Sequence, residues 1–366
     1  MLLFTVAVIP LHQELAACCV AVTFLAAVLT AVVRGRRQPC VLQKWQQGVL
    51  YLLLGISLAS VYFSLDSFLS FWNWVYAVGQ YAALMFVLLR YGRGDADMQP
   101  IKICEAGNQG CCPGVSGKLA YLWRKFSALP RPLQLIGAFL AVSILVSGIG
   151  IAQKIFGVTA EGVWVDPQQF PDIKVRVFST LVNPNILAGY LVLVIAYSVA
   201  FFNQTKAYIK WRLFFLAAGI LAALCLLYTY SRGNWLACAA VLLAFCVLFC
   251  RKAFIPVLGG GAAALALGGQ TVLHRLASIS SGEDTSAALR LAYLKSTRMI
   301  IEDFPLGVGW YGYRFVYPEY NYYLADTSVI MYHCHNIFLN VLSELGWHGL
   351  LAFLVVWWGV FLRTGW

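Results

Sequence analysis

The chain has 366 residues and a net charge of +11; 61% of its residues are hydrophobic and 11% are charged. A soluble domain carries about 25% charged residues, so an ordinary soluble enzyme is excluded, and the basic excess reads as loop charge at a membrane, with no nucleic-acid partner implied. Apolar blocks of about 20 residues exclude a transmembrane barrel, whose strands alternate in short segments, and predict an all-α polytopic membrane protein.

In chain order the apolar runs fall near 14–33, 47–64, 68–89, 133–152, 184–202, 213–229, 234–250, 253–273 and 347–362. They predict about nine or ten spans in a single membrane domain over 1–366. The opening "MLLFTVAVIP" lacks a basic n-region and a small-residue cleavage site, so it is no cleavable signal; it lies outside or forms an incomplete helix. Basic residues concentrate in "RGRRQPCVLQK", in 90–132, in "KAYIKWR", in the "RK" after the seventh run and at Arg363. Placing these on the cytoplasmic side satisfies the positive-inside rule and leaves two long external loops, about 153–182 and 274–334. The second, continued to residue 346, is expected to carry the active site, because a loop of about sixty residues is too long for a connector. Its aromatics, Trp310, Tyr311, Tyr313, Phe315, Tyr317, Tyr320, Tyr322 and Tyr323, fit either an interfacial belt or a surface that stacks on sugar rings.

Several lookalikes carry no chemistry. Cys18, Cys19, Cys225, Cys238, Cys246 and Cys250 lie in apolar runs and behave as small hydrophobes. Cys104, Cys111 and Cys112 share a loop without a C-x-x-C pair or a nearby His, so no metal site is expected. "GVGWYG" (Gly307, Gly309, Gly312) follows Pro305 in an external loop and opens no βαβ unit. "GCCPGVSGK" has the wrong P-loop spacing, with Leu119 where Ser or Thr belongs.

The external face holds the informative polar residues. In "KVRVFSTLVNPNILAGYL", Asn183 is an N-cap and Pro184 the first helical residue, which leaves Arg176 without a structural reason. Arg232 sits in "YTYSRGNWLA", a polar break between spans of opposite direction; it either anchors on headgroups or binds an anion. Residues 286–303 predict a surface helix ended by Pro305, with Arg290 and Arg298 about 80° apart around it. Such a basic helix either lies on the membrane or presents its arginines to a ligand. Guanidinium forks match phosphate oxygens and stay charged at physiological pH. His335, in "HCHNIFLNVLSELGWHGLL", either caps a helix or acts as a general base near neutral pH. His333 beside it finds no further metal ligands.

Together "NPNILAGYL", "SRGNWLA", "FPLGVGWYGYRFVYPEY" and "HNIFLNVLSELGWHGLLAFL" resemble the bacterial O-antigen ligase and polysaccharide polymerase family, from about residue 140 to 362. The resemblance implies a multi-pass protein of the bacterial inner membrane with a GT-C-like helical glycosyltransferase fold. It implies glycan transfer from undecaprenyl pyrophosphate to an acceptor hydroxyl or amide on the periplasmic face. The acceptor is a glycolipid such as lipid A core, a growing glycan or a protein. It implies that Arg232 and Arg290 hold the pyrophosphate, with Arg176 a third member, and that His335 activates the acceptor. Asn183, Asn185, Tyr317, Asn336 and Glu344 then take supporting positions. No cofactor, metal or nucleotide sugar is implied. Family members carry about a dozen helices, some beyond the His motif, so further C-terminal spans are expected to be missing after "FLRTGW". Relatives with similar "NPN" and "SRG" segments are labelled inorganic carbon transporters. Transport of bicarbonate or another small anion is therefore the alternative, although the predicted spans hold almost no ionisable residues.

One helix from His335 to Leu362 would be about 42 Å long against a hydrocarbon core of about 30 Å. The expected solution is a short interfacial helix over 335–344, a break at Gly346 and a span from Trp347. Within one straight helix Glu344 would lie about 180° from His335, which argues against a direct relay.

Overall fold

The computed structural model describes residues 2–34, 42–91, 131–158, 175–205, 209–277, 285–322 and 331–364. The cysteines at 104, 111 and 112, the P-loop lookalike at 110–118, Tyr323 and residues 159–174 of the first external loop lie outside them. Among the described residues every regular element is helical. Among the described residues eight helices are long and apolar enough to cross a membrane: Gln13–Ala31, Lys44–Phe63, Ser67–Tyr91, Arg131–Phe156, Pro184–Gln204, Ile209–Tyr228, Arg251–Arg275 and Ile337–Gly359. Arg232–Leu248 is apolar but shorter. These helices fall on the predicted runs in order, and Leu2–Val8 forms a short helix before them, the second of the two expected alternatives.

The chain divides into two compact units. The first comprises Met1–Cys19 and Gly92–Gly282. Its core forms where α1 (Arg131–Phe156), α2 (Pro184–Gln204) and α3 (Ile209–Tyr228) pack together. Leu140 and Val146 of α1, Leu187 and Leu191 of α2, and Phe215 and Ala222 of α3 are fully buried there. Small residues set the approach, as in other membrane helix pairs. A Cβ at Gly150 would lie 2.5 Å from Cys225 Sγ, and one at Gly219 would lie 3.2 Å from Ser198 Cβ. Cys225 thus packs as the small hydrophobe its sequence context predicted. Two further helices of the unit are α4 (Arg232–Leu248) and α5 (Phe254–Ala277). α5 breaks at Gly269, whose φ of 58° is left-handed.

The second unit comprises Val20–Tyr91 and Glu283–Trp366. α6 (Thr285–Asp303) is the predicted surface helix, but one of its faces is well buried. Tyr293, Ser296, Thr297 and Ile300 recur at helical spacing and point inward, with the last three fully buried. The opposite face is solvated, and Arg298 Nε donates to Glu302 one turn on at 2.8 Å.

The C-terminal helix α7 (Ile337–Thr364) is interrupted where the sequence suggested, at Gly346, with φ 69° and ψ −174°. The reason is a close crossing with the "PLGVGW" loop. A Cβ on Gly346 would collide with the Leu306 backbone, and one on Gly307 (φ 90°) would collide with the Glu344 carbonyl. Breaking a helix exposes its last carbonyls, and the loop fills them. Val308 N–H donates to Ser343 O at 2.8 Å and Gly309 N–H to Glu344 O at 3.0 Å. Trp310 ties the loop down further, its backbone N–H reaching Ser60 Oγ at 3.1 Å and its indole N–H reaching Asn73 Oδ1 at 2.9 Å. The glycines of "GVGWYG" therefore serve close backbone approach. Beyond the break α7 packs on Lys44–Ser60, where Gln46 Nε2 donates to Gly359 O at 2.9 Å.

The start of α7 differs from expectation. The helix begins at Ile337, with Asn336 Oδ1 accepting from Phe338 N–H at 3.0 Å and Leu339 N–H at 3.2 Å. His335 therefore stands before the helix, in left-handed backbone with φ 57°.

Candidate functional site

The predicted residues fall at two places, one in each unit. In the first unit, Asn183 caps α2, its Oδ1 accepting Asn185 N–H at 2.8 Å, with Pro184 at the first helical turn. Arg176 lies in the extended segment before this cap and is only 9% exposed. Its Nε donates to Thr229 O at 2.7 Å and an Nη donates to Asn185 Oδ1 at 2.9 Å. Asn234 Nδ2 then donates to Asn185 O at 3.3 Å and to Ser231 Oγ at 2.9 Å. The "NPN" and "SRG" segments, far apart in sequence, are thus stitched together by Arg176, Asn185 and Asn234.

Arg232 opens α4 from this network, after the N-cap Ser231. A third cation joins it, Arg275 on the turn of helix beyond the Gly269 break, 7% exposed. Burial first, and then the charges of Arg275 and Arg232, push the Arg176 pKa down to about 10. It still carries its charge at neutral pH. The fields of Arg275 and Arg232 therefore reach the Arg176 guanidinium. Arg275 was not singled out in the sequence. Its signal was there, because it falls just past the predicted span 253–273, among the external basic residues.

In the second unit, His335 is fixed by its neighbours in "HCHN". Cys334 is buried; its N–H donates to Asn340 Oδ1 at 3.3 Å and its thiol to Asn336 O at 3.2 Å. The imidazole stacks on Tyr293 of α6, with centroids 5.4 Å apart and planes 26° from parallel. Tyr293 in turn meets Tyr317 edge-on at 6.1 Å, and Tyr317 stacks on Tyr313 at 5.5 Å. Tyr313 and Tyr317 are 0% and 1% exposed, so they are core and not an interfacial belt. Tyr313 Oη and Thr297 Oγ1 share a hydrogen bond of 2.9 Å. Burial, then the His333 ring (centroids 4.5 Å apart) and the Arg290 charge, push the His335 pKa down to about 4. His335 and Arg290 are therefore electrically coupled, and His335 is neutral at physiological pH. Among the described residues no group of three or more His, Cys, Asp or Glu is placed to hold a metal.

Glu344 is 4% exposed at the end of the first half of α7. Its carboxyl group accepts the backbone N–H groups of Tyr311 and Tyr313. It is a partner of the loop, and no relay to His335 is formed through the helix.

Left-handed non-glycine residues stand in or beside each motif, with Ser179 (φ 51°) among them. Val182 (φ 61°) precedes the "NPN" cap, Tyr230 (φ 53°) precedes Ser231, Tyr311 (φ 60°) lies in the glycine loop, and His335 has φ 57°. Left-handed backbone costs a bulky residue about 1–3 kcal/mol and gathers at functional sites.

Comparison with known proteins agrees with the motifs. Residues 217–354 match the family model described as O-antigen ligase. No curated protein and no solved structure matches the chain. The match covers the "SRG" segment, Arg275, Arg290 and the His335 segment, so the chain is similar to O-antigen ligases over that stretch.

Proposed function

We propose that the chain transfers a glycan from undecaprenyl pyrophosphate to an acceptor hydroxyl or amide on the periplasmic face of the bacterial inner membrane. The acceptor is lipid A core, a growing polysaccharide or a protein. The observation that carries this reading is His335, held in left-handed backbone against Tyr293 and within the field of Arg290.

In the proposed step the acceptor oxygen attacks the anomeric carbon while its proton passes to the neutral His335 imidazole. The bond from that carbon to the pyrophosphate oxygen breaks, and the leaving group carries the electron pair away. Arg290 meets the negative charge there. Arg232 and Arg176 are the further arginines that the motif resemblance assigns to phosphate oxygens. Positive charge aimed at a developing anion is commonly the largest single catalytic term. The same charge makes the base responsive to substrate. A pyrophosphate beside Arg290 offsets the charge that depresses the His335 pKa, so the imidazole grows more basic when the donor is bound. Tyr317 and Asn336 support the imidazole, Glu344 supports the loop, and Asn183 and Asn185 support Arg176. No metal enters the step.

The test is reconstitution of the purified chain with a lipid-linked glycan and candidate acceptors. The expected result is acceptor extension matched one for one by free undecaprenyl pyrophosphate. Release of the pyrophosphate without acceptor extension, or bicarbonate uptake by vesicles in place of transfer, would overturn the proposal.

A further inference from the structure

A second surface adjoins the His335 segment and is used by nothing above. Tyr311 and Tyr332 stack with ring centroids 6.2 Å apart and planes 27° from parallel. The Arg314 guanidinium carbon lies 5.1 Å from the Tyr311 centroid, 5.1 Å from that of Phe315 and 5.0 Å from that of Tyr332. One Nη donates to Tyr311 Oη at 2.7 Å. Arginine offers five N–H donors in a fixed fork, so most of this fork remains for another partner. Among the described residues no carboxylate pairs with Arg314.

Cation–π contact with these rings returns about 0.5–2 kcal/mol. Tyr332 remains 47% exposed, so the stack is open on one side. Tyr311 has left-handed backbone, and the buried Glu344 carboxyl group accepts its N–H. The surface is therefore open on one side, with the Arg314 fork beside the stacked rings.

We propose that Tyr311, Tyr332 and Arg314 form a saccharide subsite that takes a carboxylate-bearing sugar ring. The aromatic faces receive the apolar face of the ring, and the guanidinium fork receives its carboxylate. Tyr332 lies three residues from His335, at most about 10 Å along the chain, within reach of a short saccharide whose hydroxyl or anomeric carbon stands at His335. A lipid headgroup could supply the anion but offers no flat ring for the stack. The proposal rests on the glycan-transfer reading and names the sugar class it favours.

The test measures binding and needs no turnover. The full chain in phosphatidylcholine nanodiscs is titrated with trimers of galacturonic and glucuronic acid and with their methyl esters, following fluorescence and saturation-transfer NMR. Saturable binding of at least one acid is expected, with its ester about tenfold weaker. R314Q erases that preference, R314K retains part of it, and Y332L weakens acid and ester alike. Wild-type protein that binds neither acid, or binds acid and ester equally, overturns the proposal. So does an acid preference that survives R314Q, or one that vanishes when phosphatidylglycerol replaces phosphatidylcholine. Because transfer is not the readout, a failure here is distinct from a failure of the reconstitution assay.

Discussion

Gly346→Ala is the sharpest structural perturbation in the second unit. The residue sits at φ 69°, and a Cβ there would meet the Leu306 backbone. The left-handed conformation costs a non-glycine residue about 1–3 kcal/mol. Relieving the collision moves the loop away and forfeits the bonds from Val308 to Ser343 and from Gly309 to Glu344, each worth about 0.5–1.5 kcal/mol. The expected destabilisation is therefore about 2–6 kcal/mol, against a typical net stability of about 5–15 kcal/mol. Equilibrium unfolding in mixed micelles, followed by near-UV circular dichroism, measures it. Gly48→Ala is the control, because Gly48 lies within the helix Lys44–Ser60 with nothing within 4 Å of its Cβ position. That change should stabilise by about 0.5–1 kcal/mol. A Gly346→Ala protein within about 0.5 kcal/mol of wild type, with the control behaving as stated, would refute the loop crossing as the cause of the break; the threshold is half the least strain expected.

Other expectations follow from the same contacts. General-base catalysis needs neutral imidazole, and the His335 pKa is near 4. The acid limb of kcat/KM against pH should therefore lie near that value; R290Q removes a lowering charge and shifts the limb to higher pH, whereas a wild-type limb near 6.5, the unperturbed histidine value, would contradict the coupling. Glu344→Leu leaves two buried N–H groups without their acceptor, at about 1–3 kcal/mol each. Glu344→Gln keeps one amide oxygen for them, so the leucine variant should unfold more readily. Asn183→Ala removes the cap of α2 and should cost about 1 kcal/mol in the same unfolding assay.

Much of the fold was legible because hydropathy is a local signal. Spans show as apolar runs, the Asn183–Pro184 cap is written in adjacent residues, and the Gly346 break follows from length against membrane thickness. The site was legible only in part. Arg176, Arg232, Arg290 and His335 stood out as polar residues among external loops, yet what holds each lies far along the chain. Gly346 breaks its helix because Leu306 crosses it, and Glu344 is buried because Tyr311 and Tyr313 donate to it. Arg176 is held by Thr229 and Asn185. None of these pairings has a periodicity to read. The first residue of α7 was misplaced by two positions because Asn336, not His335, makes the capping bonds. Left-handed backbone at His335, Tyr311, Tyr230 and Val182 has no sequence signal at all, since such residues usually avoid it.

The central claim is that His335 accepts the acceptor's proton. Single-turnover transfer by His335→Ala, with donor binding measured alongside, tests it most directly. A general base contributes about 10²–10⁴-fold, so the rate should fall by that factor while the lipid-linked donor still binds. A variant that transfers at the wild-type rate with donor bound would contradict the account.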